Sequence, residues 1–423
     1  MTRVAVVGLG KIGLPLAALY AGKGMQVTGC DVNTAVVDAV NRGESPVRGE
    51  PGLEEAVRSA HDAGTLIATT DTAAAVAESD VVVVMVRVGI DASGHADYHY
   101  LDPAATAIGR GLKAGTLVIL ESTVPVGATR GRFAKRLAGA SGLNEGNFRV
   151  AYSPERVSSG TVFRDLATYP KLIGGLDAAS GEAAAAYYRS VIGAPVTLLA
   201  DAETAEFAKL AESIYRDVNI ALANELARAA EQLGVRYDVA AAAGNSQPYS
   251  HLHAPGLGVG GHCIPVYPYF LTQAVDAPLI ELSREINDSM AEYGVERLEA
   301  VLEGGLTGKT VLVLGLAYRG GVREAELSSA LLVAEALRHK GASVLMHDPL
   351  FSPGEIEALG LKPSPLPPEG EIDAAVLQAG HQEYASLDFA ALKSCRAVLD
   401  GRGFLDASKV EAAGVRYVAI GRP

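Results

Sequence analysis

A cysteine at the end of a glycine-rich loop is the strongest chemical signal in this chain. Cys263 ends the run GVGGHC at 258–263, and a further glycine, Gly256, stands just upstream. Glycines at this density let backbone approach a ligand closely, so the thiol is placed where a bound molecule would lie. The alternative interpretation is a small apolar cysteine that only fills a turn, because most free cysteines behave as buried hydrophobes.

A second glycine pattern, GLGKIG at 8–13, lies between a strand pattern and an apolar helical stretch. In such a turn the glycines permit the tight bend, the approach of pyrophosphate and the packing of helix on strand. The helix N-terminus then offers unpaired N–H groups to phosphates. Asp31 ends the next strand, where a carboxylate accepts from the adenosine ribose hydroxyls and repels a 2′-phosphate. The pattern predicts an NAD site built from Gly8, Gly10, Lys11, Ile12, Gly13 and Asp31.

The composition excludes several classes of protein. A net charge of −13 argues against a general binder of nucleic acid or of anionic membranes. The three cysteines, Cys30, Cys263 and Cys395, are too few and too scattered for a disulfide framework, so we expect a cytoplasmic, reducing location. The sequence shows no signal-peptide pattern, no membrane-spanning apolar run and no CxxC or HExxH metal motif. We therefore expect no membrane partner and no metal.

Apolar runs alternate with helical patterns in the first part of the chain. Strands are predicted at 4–7, 26–31, 80–86 and 116–121, with a helix at 12–22. This βαβ alternation is typical of a doubly wound parallel sheet. We predict an NAD-binding Rossmann-like domain over 1–197.

A change of pattern follows at residue 201. Apolar residues recur every three or four positions over 201–233 with almost no glycine or proline, which predicts a helix about 45 Å long. A second helix is predicted at 278–303, and strand patterns restart at 310. The predicted fold class is therefore α/β: two Rossmann-like doubly wound domains joined by an all-α region with a long helix. The expected domains are 1–197, a helical dimerisation domain at 198–304 carrying the cysteine loop, and a nucleotide-sugar-binding domain at 305–423.

Three further segments complete a family resemblance. They are ESTVPVG at 121–127, YSPER at 152–156 and KLAESIYRDVN at 209–219. Together with GGHCIP at 260–265, they resemble the UDP-glucose/GDP-mannose dehydrogenase family over essentially the whole chain, and most closely its UDP-N-acetyl-mannosamine dehydrogenase branch. Members of this family oxidise the primary alcohol of a nucleotide sugar to a carboxylate with two NAD.

The resemblance implies a role for each matching position. Cys263 would attack the C6 aldehyde and carry the thiohemiacetal and then the thioester, because a thiolate is a strong nucleophile and a workable leaving group. Lys209 would stabilise the alkoxide electrostatically, and Glu155 and Thr123 would place or activate water. The resemblance also implies a UDP-linked sugar as substrate, a homodimer, and an active site in the cleft between the two α/β domains. The other implied positions are Ser122 and Thr123 for the cofactor, and Glu155, Arg156, Lys209, Asn219, Tyr249, Gly258, Gly260 and Arg319 for the substrate.

The chain departs from the family pattern close to the chemistry. Tyr267 stands where the family has Asp four residues after its cysteine, and Ser213 stands where it has Asn one helical turn after its lysine. A tyrosine with an unperturbed pKa of about 10 is not a carboxylate at neutral pH. Tyr249 replaces an arginine of the substrate loop, and the register of the arginines near Arg319 stays open.

These departures leave three functions open. Tyr267 and Ser213 can be co-adapted variants in an enzyme that still makes the acid, which the retained Cys263 favours. The enzyme can instead stop after a two-electron oxidation, or act as an NAD-dependent epimerase. A binding protein without turnover is the third possibility, but such a protein would tend to lose the cysteine and the lysine together.

Overall fold

The computed structural model describes residues 1–423, which divide into two compact units. The first contains Met1–Glu212 and Tyr269–Val275, and the second contains Ser213–Pro268 and Asp276–Pro423. The division falls inside one continuous helix, Ala202–Gln232.

The first unit is built on an eight-stranded sheet. Its strands are β1 (Arg3–Val7), β2 (Gln26–Cys30), β3 (Leu66–Thr69), β4 (Val81–Val84), β7 (Leu117–Leu120), β8 (Arg149–Tyr152), β9 (Lys171–Gly175) and β10 (Val196–Leu198); a separate antiparallel pair is formed by β5 (Gly89–Ile90) and β6 (Ala96–Asp97). The order is β10-β9-β8-β7-β4-β1-β2-β3, and every pair is parallel except β8 with β9. All four valines of β4 are buried, as expected for a central strand covered on both faces.

Helices connect these strands and cover the sheet. They are α1 (Gly13–Gly22), α2 (Thr34–Asn41), α3 (Leu53–Asp62), α4 (Thr72–Ala77), α5 (Leu101–Gly111), α6 (Lys135–Ser141), α7 (Val162–Thr168) and α8 (Ala178–Val191). Helix α1 is apolar almost all round and packs in the core, with eight of its ten residues buried. The β1–α1–β2 crossover pairs β1 with β2, and β4 pairs with the other side of β1. The ends of these three strands are therefore neighbours.

Helices dominate the middle of the chain. They are α9 (Ala202–Gln232), α10 (Tyr237–Gly244), α11 (Tyr267–Thr272) and α12 (Pro278–Val301). In the second unit α12 contributes Val295 and Leu298 to a core that also contains Leu257 of the cysteine loop. The cysteine loop is thus anchored by a fully buried leucine, which directly precedes the run 258–263 that ends at Cys263.

A six-stranded, wholly parallel sheet completes the second unit, in the order β13-β12-β11-β14-β15-β16. Its elements are β11 (Thr310–Leu314), α13 (Ser329–His339), β12 (Ser343–His347), α14 (Pro353–Ala358), β13 (Lys362–Pro363), β14 (Ala374–Leu377), β15 (Ala397–Asp400), α15 (Ala407–Ala412) and β16 (Arg416–Ala419). The prediction of two Rossmann-like parallel-sheet domains with a helical region between them is confirmed. None of the helices is both long enough and apolar enough to cross a membrane.

Candidate active site

The glycine turn after β1 fits a dinucleotide. Gly8 has φ +94°, and a Cβ there would lie 2.3 Å from the carbonyl oxygen of Met85. A Cβ on Gly13 would lie 1.8 Å from the oxygen of Gly8, so neither position tolerates a side chain. A Cβ on Gly10 would meet nothing within 4 Å. The turn is therefore closed on the protein side and open where a pyrophosphate must approach the backbone.

The start of α1 and the carboxylate of Asp31 suit the same ligand. Ile12 at the N-cap supplies no side-chain acceptor and the first turn contains no acidic residue, so neither a capping side chain nor a first-turn carboxylate competes with a bound anion there. Asp31 Oδ2 accepts the N–H of Leu9 and Oδ1 accepts the N–H of Asn33, each at 2.9 Å. These bonds fix the carboxylate at the end of β2, where it remains half-exposed for a ribose. Lys11, within the glycine turn, is exposed.

Ser122 and Thr123 follow β7 at the same edge of the sheet. Ser122 Oγ accepts the N–H of Val86 at 3.0 Å, which ties the segment after β7 to the segment after β4. Thr123 is 8% exposed. Because the carboxyl ends of β1, β4 and β7 are neighbours in a parallel sheet, these residues share an edge with the glycine turn.

A buried carboxylate holds the loop that follows Thr123. Glu206 on α9 is 0% exposed and accepts the N–H of Gly127 at 2.5 Å and both the N–H and the hydroxyl of Thr129, at 2.9 and 2.5 Å. Burial raises the pKa of Glu206 to about 7, against the lowering effect of these hydrogen bonds. The loop between 123 and 129 is therefore set by α9 rather than by its own sequence.

Glu155 lies after β8, and only one of its two carboxylate oxygens accepts hydrogen bonds. Its Oε1 accepts the N–H groups of Arg156 and Val157, both at 2.6 Å. Its Oε2 is buried, accepts no hydrogen bond and lies 3.8 Å from Nζ of Lys171. A buried oxygen with vacant lone pairs can take a hydrogen bond from water or from a substrate hydroxyl.

Behind Glu155 lies an ion pair that is almost fully buried. Lys171 Nζ is 2.5 Å from Oε2 of Glu121, and the hydroxyl of Tyr188 donates to the other oxygen of that carboxylate. Burial raises the pKa of Glu121 to about 7, and Lys171 opposes the shift. The backbone N–H of Glu155 donates to the carbonyl of Glu121 at 3.2 Å, so the pair positions Glu155 through both backbone and charge.

Two other predicted positions of the first unit lie at or beside α9. The guanidinium of Arg156 pairs with Glu212 at 3.0 Å and donates to the carbonyl of Pro170 at 3.0 Å. Its charge is therefore already neutralised by a helix carboxylate. Lys209 is half-buried on α9, one turn before Glu212 on the same strip of the helix.

In the second unit the cysteine loop lies against the segment 318–328, which follows β11. The N–H of Gly261 donates to the carbonyl of Glu326 at 3.1 Å. A Cβ on Gly260 would lie 2.8 Å from the carbonyl oxygen of Leu327, and a Cβ on Gly261 would press on the ring of Tyr318 at 3.3 Å. Gly258 and Gly261 also have φ of +107° and +94°. The glycines of the loop are thus required for close packing on this segment.

Buried polar side chains of α9 and α12 hold the start of the loop. Asn224 Oδ1 accepts the N–H of Gly256 at 2.9 Å, and its Nδ2 donates to Oδ1 of Asn287 at 2.9 Å. Asn287 in turn donates to Oδ1 of Asp217 at 2.8 Å, and Arg284 pairs with the same carboxylate at 2.6 Å. These buried contacts tie the start of the cysteine loop to α9 and α12, although Oδ2 of Asp217 accepts no hydrogen bond.

Cys263 is half-buried and precedes α11. Its carbonyl accepts the N–H groups of Val266 at 3.1 Å and Tyr267 at 2.9 Å. Tyr267, which takes the position of the family's Asp, is 7% exposed. The neighbouring His262 is 44% exposed, and its Nδ1 lies 2.6 Å from Oε1 of Glu324 in the segment 318–328.

The remaining predicted residues of the second unit have different surroundings. Ser213 is 9% exposed on α9, and the amide of Asn219 donates to the carbonyl of Tyr215 in its own helix at 2.7 Å. Tyr249 is 91% exposed. Arg319 donates to the hydroxyl of Tyr318 at 3.1 Å, within the segment that supports the cysteine loop.

Sequence reasoning missed the residues that hold the site rather than face a ligand. They are Glu121, Lys171, Glu206, Asn224, His262 and Glu324. Glu121 and His262 lie inside motifs that were identified, so their position was a usable signal. Asn224 also lies in a stretch that resembles the family, DVNIALANE at 217–225. Lys171, Glu206 and Glu324 are distant in sequence from the groups they contact, and no local pattern marks them.

A glycine turn that fits pyrophosphate, an acidic residue at the end of β2 and a second Rossmann-like sheet define the class of NAD-dependent oxidoreductases with two α/β domains. Profiles of the UDP-glucose/GDP-mannose dehydrogenase family match its NAD binding domain at residues 2–192, its central domain at 203–289 and its UDP binding domain at 312–407. The chain belongs to this family and is an NAD-dependent nucleotide-sugar dehydrogenase. The UDP binding domain indicates a UDP-linked sugar as substrate.

Relatives match the chain from end to end. The UDP-N-acetyl-D-mannosamine dehydrogenase of Pyrococcus horikoshii is 35% identical over 99% of both chains, and the NDP-N-acetyl-D-galactosaminuronic acid dehydrogenase of Ralstonia nicotianae is 34% identical over 97% of both. A solved structure of the P. horikoshii UDP-D-ManNAc dehydrogenase superposes with a TM-score of 0.91 at 33% identity, covering 100% of this chain and 99% of that one.

Proposed function

We propose that this enzyme oxidises the C6 alcohol of a UDP-linked N-acetylhexosamine to the carboxylate, with Cys263 as the nucleophile. The observation that carries the proposal is a half-buried thiol in a loop whose glycines leave no room for side chains. The names of the two relatives above, both acetamido-sugar dehydrogenases, support the sugar class.

Each proposed residue has a chemical task. When bound, NAD accepts a hydride from the sugar in each of the two oxidations. Lys209 stabilises the alkoxide that forms at C6, and Cys263 forms a C–S bond to the resulting aldehyde. Glu155, with its free Oε2, holds the water that hydrolyses the thioester, and Thr123 helps to place it. Gly258 and Gly260 offer backbone groups to the sugar.

The stoichiometry of the reaction tests this proposal. The purified enzyme is incubated with excess NAD and a panel of UDP- and GDP-sugars, and NADH per sugar and product mass are measured. Two NADH and the mass of a uronate are expected. One NADH per sugar means that oxidation halts at a carbonyl. Conversion without NADH or mass change identifies an epimerase. Either result overturns the proposal and links the change in activity to Tyr267, which replaces the family's Asp.

Two substitutions locate the chemistry. Cys263→Ser should abolish acid formation and leave NAD affinity unchanged, since the proposed NAD residues lie in the first unit. Lys209→Ala should slow the first hydride transfer by on the order of 100-fold, because one charge-stabilising donor is lost from the transition state. A Cys263→Ser enzyme that still makes the uronate at the wild-type rate would rule out the thioester.

We further propose a homodimer formed through α9. In the second unit this helix and the residue that follows it expose apolar side chains at intervals of seven, four and seven: Tyr215 (55%), Leu222 (46%), Leu226 (38%) and, just after the helix, Leu233 (78%). An apolar strip at helical spacing suits packing against a second copy. Leu222→Glu with Leu226→Glu should convert a dimer to a monomer in light scattering; a wild-type monomer refutes the proposal.

The domain limits 1–197, 198–304 and 305–423 and a cytoplasmic location are also proposed. The location rests on the three cysteines, which are all free and too scattered for a disulfide framework. Limited proteolysis with mass analysis of the fragments tests the limits, and fractionation of the source cells tests the location.

A further inference from the structure

The residue next to the nucleophile is held by a carboxylate from the facing segment. His262 Nδ1 lies 2.6 Å from Oε1 of Glu324, and the Glu324 side chain is only 8% exposed. The backbone of Glu324 is fixed as well, because its N–H donates to the carbonyl of Val322 and its carbonyl accepts the N–H of Tyr318, both at 3.0 Å. A nearly buried carboxylate in this setting needs a partner that is charged or a strong donor.

The imidazole also reaches the sulfur. The His262 side chain is hydrogen bonded to the side chain of Cys263, and this bond together with the bond to Glu324 raises the pKa of His262 to about 10. Both bonds favour the protonated ring, so the imidazole is a suitable acceptor for the thiol proton. A cation beside a cysteine stabilises the thiolate, which is the reactive form.

The two arginines of the facing segment bond elsewhere. Arg319 donates to the hydroxyl of Tyr318, and Arg323 donates to the carbonyl of Leu350 and pairs with Glu355. Cys263 from its own loop and Glu324 from the segment are the groups that raise the pKa of the His262 ring.

We propose that His262, oriented by Glu324, activates Cys263 as an imidazolium–thiolate pair. The thiol proton passes to the His262 ring and leaves the electron pair on sulfur. On attack, the C–S bond forms, the carbonyl π pair moves to oxygen, and that oxygen takes up the ring proton to give the thiohemiacetal. The attack step rests on the function proposed above, since the aldehyde belongs to it; the ion pair itself exists without substrate.

Alkylation of Cys263 by iodoacetamide, followed by intact mass over pH 5–10, measures the thiol directly. Cys30 and Cys395 are buried, and burial raises their thiol pKa to about 12 and about 11, so they do not compete. The wild-type midpoint should lie at least one pH unit below the value of about 8.5 for a free cysteine. A wild-type midpoint at or above that value overturns the proposal without any variant.

Variants separate activation from loop support. His262→Gln should move the midpoint to about 8.5 or above and lower alkylation at pH 7 about tenfold, and Glu324→Gln should move it part of the way. The matched control is His339→Gln, which removes a histidine 76% exposed and 3.9 Å from Glu335 on α13, and should leave the profile unchanged. A His262→Gln profile that matches the wild type overturns the proposal, and the urea-unfolding midpoint of each variant checks that it is folded.

The alkylation profile tests the ion pair and the NADH stoichiometry tests the overall reaction, so either proposal can be refuted without the other. A low wild-type midpoint that rises in His262→Gln, combined with one NADH per sugar, sustains the ion pair and refutes the acid-forming reaction. Two NADH per sugar with an unperturbed thiol sustain the reaction and refute the ion pair.

Discussion

The contact of Glu206 with the loop after Thr123 gives a sharp test of how the site is held. Three donors converge on this carboxylate: Gly127 N–H on Oε2, and Thr129 N–H and hydroxyl on Oε1. Glutamine has only one amide oxygen to accept hydrogen bonds. Whichever way the Glu206→Gln amide is oriented, its NH₂ group faces the backbone N–H of either Gly127 or Thr129, and two donors cannot bond to each other. One buried N–H is then orphaned, which costs about 1–3 kcal/mol.

The pH dependence of that cost has a definite sign. Burial raises the folded-state pKa of Glu206 from 4.5 to about 7, so protonation stabilises the fold. This contribution is complete below the unfolded value and is lost as the pH rises through the folded value. A protonated Glu206 can donate to the Thr129 hydroxyl and still accept both N–H groups, whereas glutamine cannot. The shift corresponds to on the order of 3 kcal/mol, most of it lost between pH 5 and 8.

The assay is urea unfolding of the wild type and Glu206→Gln at pH 5 and pH 8. The gap in unfolding free energy should be largest at pH 5 and should shrink by about 2 kcal/mol at pH 8. Glu203→Gln on the same helix is the control, since its partly exposed pair with Arg130 is worth at most about 1 kcal/mol. An equal gap at both pH values refutes the assignment of a raised pKa, and no gap at all refutes the role of Glu206 in holding the loop.

Three further outcomes follow from the described contacts. Asp31→Ser should weaken NADH binding about tenfold in a fluorescence titration, because the ribose loses its carboxylate acceptor; unchanged affinity contradicts the assignment. Lys171→Met should destabilise the protein by about 3–5 kcal/mol in urea by stranding buried Glu121, and Lys171→Met with Glu121→Gln should recover most of it; additive losses contradict the pairing. Gly260→Ala should lower the melting temperature and slow Cys263 alkylation, because the added Cβ would lie 2.8 Å from the carbonyl oxygen of Leu327. The control Gly139→Ala in α6, where an added Cβ meets no atom within 4 Å, should do neither.

The elements that could be predicted from sequence are those with a purely local signal. The predicted helix at 201–233 is observed at Ala202–Gln232, and the predicted strand at 26–31 at Gln26–Cys30. Buried parallel strands are continuous apolar runs and long helices repeat every three or four residues, so both patterns survive without tertiary information. The antiparallel placement of β9 was not predicted, because its sequence KLIGG carries a lysine and two glycines.

The lysine of β9 shows why the supporting residues escaped prediction. Lys171 is 5% exposed because it pairs with Glu121, 50 positions earlier in the chain. Glu206 and Glu324 likewise contact groups 62 to 79 positions away. A single sequence shows the glycine turn and the cysteine loop as local motifs, but a lysine or glutamate buried by a distant partner reads as an ordinary surface residue.

In both sheets the turn after the first strand has the same structure. Gly8 after β1 and Gly315 after β11 have φ of +94° and +100°. The N–H of the next residue donates to an aspartate at the end of the neighbouring strand in both: Leu9 to Asp31 at 2.9 Å, and Leu316 to Asp348 at 2.8 Å. The local backbone alone therefore does not explain why the first sheet carries the NAD site.

The difference lies in what remains available to a ligand. Asp348 also accepts the N–H of Ala317 at 2.9 Å and pairs with His381 at 3.0 Å, and its side chain is fully buried, so no ribose can reach it. Asp31 is half-exposed. Helix α1 begins five residues after its glycine, whereas α13 begins fourteen residues after Gly315, so no helix N-terminus faces the second turn. The intervening segment 318–328 instead supports the cysteine loop, so the same local turn serves a different purpose in the second sheet.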